Sequence, residues 1–177
     1  EQAQKLGFPV VEISRDNPLS QQLKPFGKQL AFEETDITVS EYNELKKNFI
    51  LIPTRNRIEA KRMIKRDDEI KNIRRAAQLT DQCFTQITKF IKPGVTEAEL
   101  AWDIESFIRM HNASLAFSPI VAFGSSTSQP HYQGVALKTL SERDIILLDF
   151  GARVHGYCGD MTRVLFVGKP KEVWMRA

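Results

Sequence analysis

Cysteine is scarce in this sequence, with only Cys83 and Cys158 among 177 residues. Two thiols cannot build a disulfide framework, and neither has a partner at zinc-site spacing. Both are expected to be free thiols in a reducing compartment, the cytoplasm. Long apolar runs are missing as well. Stretches such as Ile145–Leu148 are strand-sized, far short of the roughly 20 residues that cross a bilayer, so no membrane partner is expected. Glu1-Gln2-Ala3-Gln4-Lys5 lacks a basic region followed by an apolar core, and no initiator Met precedes it. The sequence is expected to be a piece of a longer protein without a secretory signal. Charge of one sign is also lacking. With 25 basic and 22 acidic side chains the net charge is +3, too little to argue for nucleic acid. The densest basic stretch, Lys61 to Arg75, is interleaved with Asp67, Asp68 and Glu69, the pattern of a solvated helix face. No His-Glu-x-x-His, Gly-x-Gly-x-x-Gly or phosphate-binding Gly-Lys-Ser/Thr motif occurs, nor any Gly-x-Ser-x-Gly elbow.

What is present is the composition of an ordinary folded protein, 42% hydrophobic and 27% charged. Phe8–Ile13 suggests an edge strand and Gln29–Glu33 a short strand. Thr38 and Glu41 form a capping box that opens a helix to about Phe49. Ile50-Leu51-Ile52 reads as a strand, and Pro53-Thr54-Arg55-Asn56 as the crossing from one domain (1–56) to a second (57–177). Ile70, Ile73, Ala77, Thr80, Phe84, Ile87 and Ile91 make one stripe on a long helix. Cys83 lies beside it, which points to packing rather than reactivity. Thr96 and Glu99 form a second capping box, and Leu100, Ile104, Phe107 and Ile108 the buried face of the next helix. Strands are predicted at Ser118–Gly124, Asp144–Phe150 and Gly156–Val167. Helix, helix, then three strands implies an α+β fold with antiparallel pairing.

The informative segment runs from Ile145 to Arg163. Apolar residues at both parities of its first strand place Asp149 in or beside the core. A hairpin centred between Val154 and His155 would set Asp149 directly across from Asp160, with Cβ atoms roughly 4.5–5.5 Å apart. Two ionised carboxylates that close repel, so one takes a proton or a hard divalent cation, or a pair of them, sits between. The bland alternative is that one aspartate caps the turn and the other pairs with Arg153 or Arg163. His131, after Pro130, could donate a hydrogen bond to a substrate carbonyl. His155 is expected to be solvated, and His111 to answer a helix dipole. Cys158 shares parity with Asp160, but soft sulfur suits a hard-oxygen site poorly. A serine hydrolase using Ser125 or Ser126 with His131 and Asp149 is a rival reading.

Several separate segments resemble one family. Ile64-Lys65 with Glu69-Ile70, and Lys92-Pro93-Gly94-Val95-Thr96-Glu97 with Glu99-Leu100, are similar to the opening helices of the pita-bread metallopeptidases. That family includes aminopeptidase P, prolidase, methionine aminopeptidase and creatinase. Phe117–Gly124 through Pro130-His131-Tyr132 resembles its Xaa-Pro peptidase branch, as do Leu147–Ala152 and Gly156–Arg163. The resemblance covers about residues 58–170. It implies the N-terminal part of a pita-bread fold, preceded by the end of a smaller creatinase-like α/β domain.

The resemblance further implies two divalent metal ions, Mn²⁺ foremost with Co²⁺ or Zn²⁺ as alternatives. Asp149 would chelate one ion, Asp160 would bridge both, and His131 would be the catalytic, non-ligand histidine near the scissile bond. The implied reaction is hydrolysis of the N-terminal Xaa-Pro bond of peptides or dipeptides by a metal-bound hydroxide, in a homodimer. Creatinase-like amidine hydrolysis and a non-catalytic binding module are the alternatives within this fold. The family completes its site with a further His and two Glu, and no His follows Asp160 here. These 177 residues are therefore expected to bind metal weakly, not to turn over, and to associate through an uncovered sheet.

Overall fold

A computed structural model describes Gly7 and residues 9–134 and 138–170. The chain divides into two compact units, one ending at Ile64 and the other beginning at Lys65.

In the first unit a short helix α1 (Leu19–Gln22) precedes strand β1 (Gln29–Glu33), helix α2 (Val39–Lys46), strand β2 (Ile50–Thr54) and helix α3 (Arg57–Met63). The two strands pair in parallel, Gln29 against Ile50 through Glu33 against Thr54, with α2 as the connection between them. The first capping box is present. The Glu41 amide donates to Thr38 Oγ1 at 3.2 Å, and the Thr38 amide donates to Glu41 Oε2 at 2.9 Å. The helix stops at Lys46 rather than near Phe49, whose ring is buried beyond its end. Residues 9–13 form no strand, a correction to the expected edge strand, of which Phe8 lies outside the described residues. Pro9 lacks an amide donor, and the Asn17 side chain takes the Glu12 carbonyl. Strand β2 extends through Pro53 to Thr54, residues expected to belong to the crossing between the two domains.

The second unit opens with helix α4 (Asp67–Ile87) and helix α5 (Glu97–Met110). The second capping box is also present, with the Glu99 amide donating to Thr96 Oγ1 at 3.1 Å and the Thr96 amide to Glu99 Oε2 at 2.8 Å. The buried line of α4 is Ala76, Leu79, Thr80, Cys83 and Ile87. Ala77, predicted to face inward, is exposed. Cys83 sits at the middle of the line, and burial pushes its thiol up to about 12. It is a packing residue.

Among the described residues six short strands follow: β3 (Ser114–Leu115), β4 (Ile120–Phe123), β5 (Ile145–Phe150), β6 (Ala152–Val154), β7 (Tyr157–Cys158) and β8 (Met161–Phe166). They form two antiparallel three-stranded sheets, ordered β4-β5-β8 and β3-β6-β7. The expected strand Gly156–Val167 is thus broken at Gly159-Asp160. Along β5 the residues Ile146, Leu148 and Phe150 are buried, in one cluster with Cys83, Ile87, Leu100, Ile104 and Ile108 of the two helices. Each such side chain contributes about 1.5–3 kcal/mol. The opposite parity, Ile145, Leu147 and Asp149, is only half-buried, so one face of β5 is covered rather than both.

The break between the sheets has a steric cause. A Cβ on Gly151 would lie 1.8 Å from the Gly159 carbonyl oxygen. One on Gly159 would lie 2.6 Å from Thr80 Oγ1 and 2.8 Å from the Ala76 carbonyl oxygen. Thr80 Oγ1 donates to that Ala76 oxygen at 2.9 Å and accepts the Ala152 amide at 3.0 Å. Gly159→Ala must push the strand off helix α4. It is expected to destabilise by about 1–3 kcal/mol or more, and Thr80→Val by about 1–3 kcal/mol through the orphaned Ala152 amide. Chemical denaturation measures both, and unchanged midpoints would refute this packing.

Candidate metal centre

The aspartates are placed by the β6–β7 hairpin. Its central residues His155 (φ 48°) and Gly156 (φ 88°) are both left-handed, as a two-residue type I′ turn requires. Val154 pairs with Tyr157 and Arg153 with Cys158, and the same register resumes beyond the break, where Phe150 faces Met161 and Asp149 faces Thr162. The direct Asp149–Asp160 pairing expected from sequence is therefore corrected. A turn centred between Val154 and His155 would force a β-branched residue to positive φ, which is costly. Moving the centre by one residue moves every partner by two, so parity is kept. Asp160 comes two residues before Thr162, on the diagonal from Asp149, a relation that spans about 7–8 Å in a regular ladder.

Asp149 is half-buried on the open face of β5, and Thr162 Oγ1 donates to its Oδ1 at 3.1 Å. Asp160 is exposed. Among the described residues neither aspartate forms an ion pair. Arg163, the sequence-based candidate partner, instead donates to the Thr162 carbonyl at 2.9 Å and lies over the Phe84 ring at 5.9 Å. The donor set therefore consists of two hard carboxylates, one of them oriented by a hydroxyl, which suits a hard divalent cation in kind. It falls short in number, since no three His, Cys, Asp or Glu side chains gather at metal-binding distance among the described residues.

His131 is exposed in a turn after Pro130, and no such cluster joins it to the aspartates. Ser126 is 7% exposed and contacts Lys138 Nζ, while the Ser125 carbonyl accepts from Ser128 Oγ. Among the described residues no hydrogen bond joins either serine to His131, and the serine-hydrolase reading finds no support. His155 is exposed as expected. His111 Nδ1 lies 2.7 Å from the Phe107 carbonyl near the end of α5.

Sequence reasoning passed over two carboxylates. Glu69, at the start of α4, accepts the Arg66 amide at 2.8 Å and the Tyr157 hydroxyl at 2.8 Å, tying the hairpin to the helix. Those bonds hold its carboxyl below the usual range, the Arg66 amide contributing most. Glu97 is 2% exposed and accepts from the Phe123 amide and the Tyr132 hydroxyl. Its signal was legible, because residues 97, 100, 104 and 108 form one helical line on which it is the charged member.

The match to known proteins agrees with this architecture. Residues 71–177 match the model of metallopeptidase family M24, and the chain belongs to that family. The uncharacterized peptidase YqhT of Bacillus subtilis is 37% identical over 174 residues, 94% of this chain and 49% of its own length. The Xaa-Pro dipeptidase from Bacillus anthracis superposes with a TM-score of 0.81 at 38% identity, over 99% of this chain and 51% of that one. The prolidase from Pyrococcus furiosus gives 0.77 at 25% identity, over 96% and 50%. The chain spans about half the length of the curated relatives it matches. Its α+β architecture is that of the N-terminal half of the pita-bread peptidases. No helix among the described residues is long and apolar enough to cross a membrane.

The Glu69 bonds have a pH consequence. A carboxyl whose folded pKa is depressed contributes stability above its unfolded pKa and loses it as pH falls through the folded value. Wild type is expected to exceed Glu69→Gln in stability at neutral pH, with the difference shrinking as acid enters the carboxylate range. Urea titrations across pH measure it, and a constant difference would contradict the assignment.

Proposed function

We propose that these residues belong to a metal-dependent peptidase that hydrolyses the N-terminal Xaa-Pro bond of peptides or dipeptides. On this reading residues 1–56 are the end of a creatinase-like N-terminal domain, and residues 57–177 begin the catalytic domain. The observation that carries it is Asp149 on the open sheet face, oriented by Thr162, with Asp160 emerging beside it at the break between the sheets. Support comes from membership of a metallopeptidase family and from likeness to a dipeptidase that acts on Xaa-Pro.

Asp149 and Asp160 would hold two divalent ions, Mn²⁺ foremost. When bound, such ions supply Lewis-acid polarisation of the scissile carbonyl and lower the pKa of water. The Thr162 hydroxyl fixes the rotamer of Asp149, so that its remaining lone pairs are held in place before any ligand arrives. His131, exposed on its turn, offers a hydrogen-bond donor to the oxygen of the bond being cleaved. Further donors from beyond this half of the fold complete the set, because two carboxylates satisfy only part of a hard cation's coordination.

Calorimetric titration of the 177-residue chain with Mn²⁺ tests the metal assignment. Binding weaker than micromolar and lost in Asp160→Asn is expected, whereas micromolar binding unaffected by that substitution would contradict it. For the full-length protein, cleavage of an Xaa-Pro dipeptide should be abolished by EDTA and restored by Mn²⁺. Chelator-resistant cleavage would exclude the metal-dependent reaction.

A further inference from the structure

Glu97 is a carboxylate at a place where the fold needs none for capping, since Thr96 and Glu99 already close the helix start. It stands on the apolar line of Leu100, Ile104 and Ile108, and all four residues are buried. Burying a carboxylate is costly unless its oxygens are bonded. Here Oε1 accepts the Phe123 amide and Oε2 the Tyr132 hydroxyl, each at 2.8 Å. Phe123 ends β4, and Tyr132 directly follows His131. Between them the chain runs through a single 3-10 helix, Gly124–Ser128, and the turn at Pro130.

One buried side chain therefore grips both ends of the segment that carries His131. The segment is secured further by Lys138 Nζ, which donates to the Phe123 carbonyl at 2.6 Å. Within it the Gln129 amide donates to the Ser126 carbonyl at 3.1 Å and the Tyr132 amide to the Gln129 carbonyl at 3.2 Å. His131 itself is exposed, on the turn that this framework holds.

We propose that Glu97 is a positioning residue, which sets the place of His131 through the Tyr132 hydroxyl. The proposal rests on the reading of His131 as the group near the scissile bond. The clamp itself can be observed without any turnover. Glu97 touches no reacting atom and acts only by fixing the geometry of the turn, to which catalysis is sensitive.

The test compares wild type, Tyr132→Phe and Glu97→Gln in the full-length protein. It measures amide hydrogen exchange at Gln129 and Tyr132, and kcat and KM on an Xaa-Pro dipeptide. Tyr132→Phe removes a single oxygen and keeps the Phe123 bond, so the fold is retained. It should speed exchange at both amides about tenfold, leave β5 unchanged, and lower kcat about tenfold with KM within about twofold. Glu97→Gln can still accept from Phe123 and donate to Tyr132, and should stay within about threefold of wild type in both measurements. Unchanged exchange in Tyr132→Phe would overturn the clamp, and faster exchange with unchanged kcat would overturn the positioning role. Wild type that cleaves no Xaa-Pro bond would overturn the proposed function instead, and exchange would then judge the clamp alone.

Discussion

Between Asp149 and Asp160 the chain passes twice through places that have no room for a side chain. At Gly151 the strand lies against the carbonyl of Gly159, and at Gly159 it lies against Thr80 and Ala76 of the long helix. That double approach is what lets the helix sit directly on the backbone of the hairpin. Thr80 spans the contact with two hydrogen bonds, one back into its own helix and one to Ala152. The ladder cannot run straight through such a crossing, so the three strands around β5 hand over to a second small sheet. Asp160 emerges where they part. The position of the acids is thus a consequence of backbone packing and not of anything the carboxylates do.

The same packing divides the faces of the main sheet. One face presents Ile146, Leu148 and Phe150 to the two helices and is full. The other presents Asp149 with Leu147 and Ile145, alongside Thr162, Val164 and Phe166 of β8, and is partly open. Thr162 donates one hydrogen bond to Asp149 from this same face. The proposed divalent ions would bind on this face through Asp149.

Much of this was legible in the residues. Both Thr-x-x-Glu capping boxes appear as predicted because that motif satisfies backbone donors locally and depends little on the rest of the fold. The two helices and the strands at β1, β4 and β5 followed from periodicity. The turn was misplaced by one residue, although His155-Gly156, with glycine at its second position, is the pair that tolerates positive φ. The split of the last strand was not legible, since it arises from contact with a helix some 70 residues earlier in the chain. Glu97 was overlooked because its neighbours Thr96 and Glu99 explained the acidic character of the helix start. Its place on the line of Leu100, Ile104 and Ile108 was the sign that it points inward.

The proposed metal chemistry depends most on Asp149 and Asp160 sharing a cation although Asp149 is paired with Thr162 and not with Asp160. Substoichiometric Mn²⁺ added to the ¹⁵N-labelled chain tests this directly, because the paramagnetic ion broadens amide resonances near its binding place. Broadening strongest at the residues around 149–151 and 159–162, and absent in Asp149→Asn, is the predicted result. Broadening centred elsewhere, or the same pattern in Asp149→Asn, would contradict it.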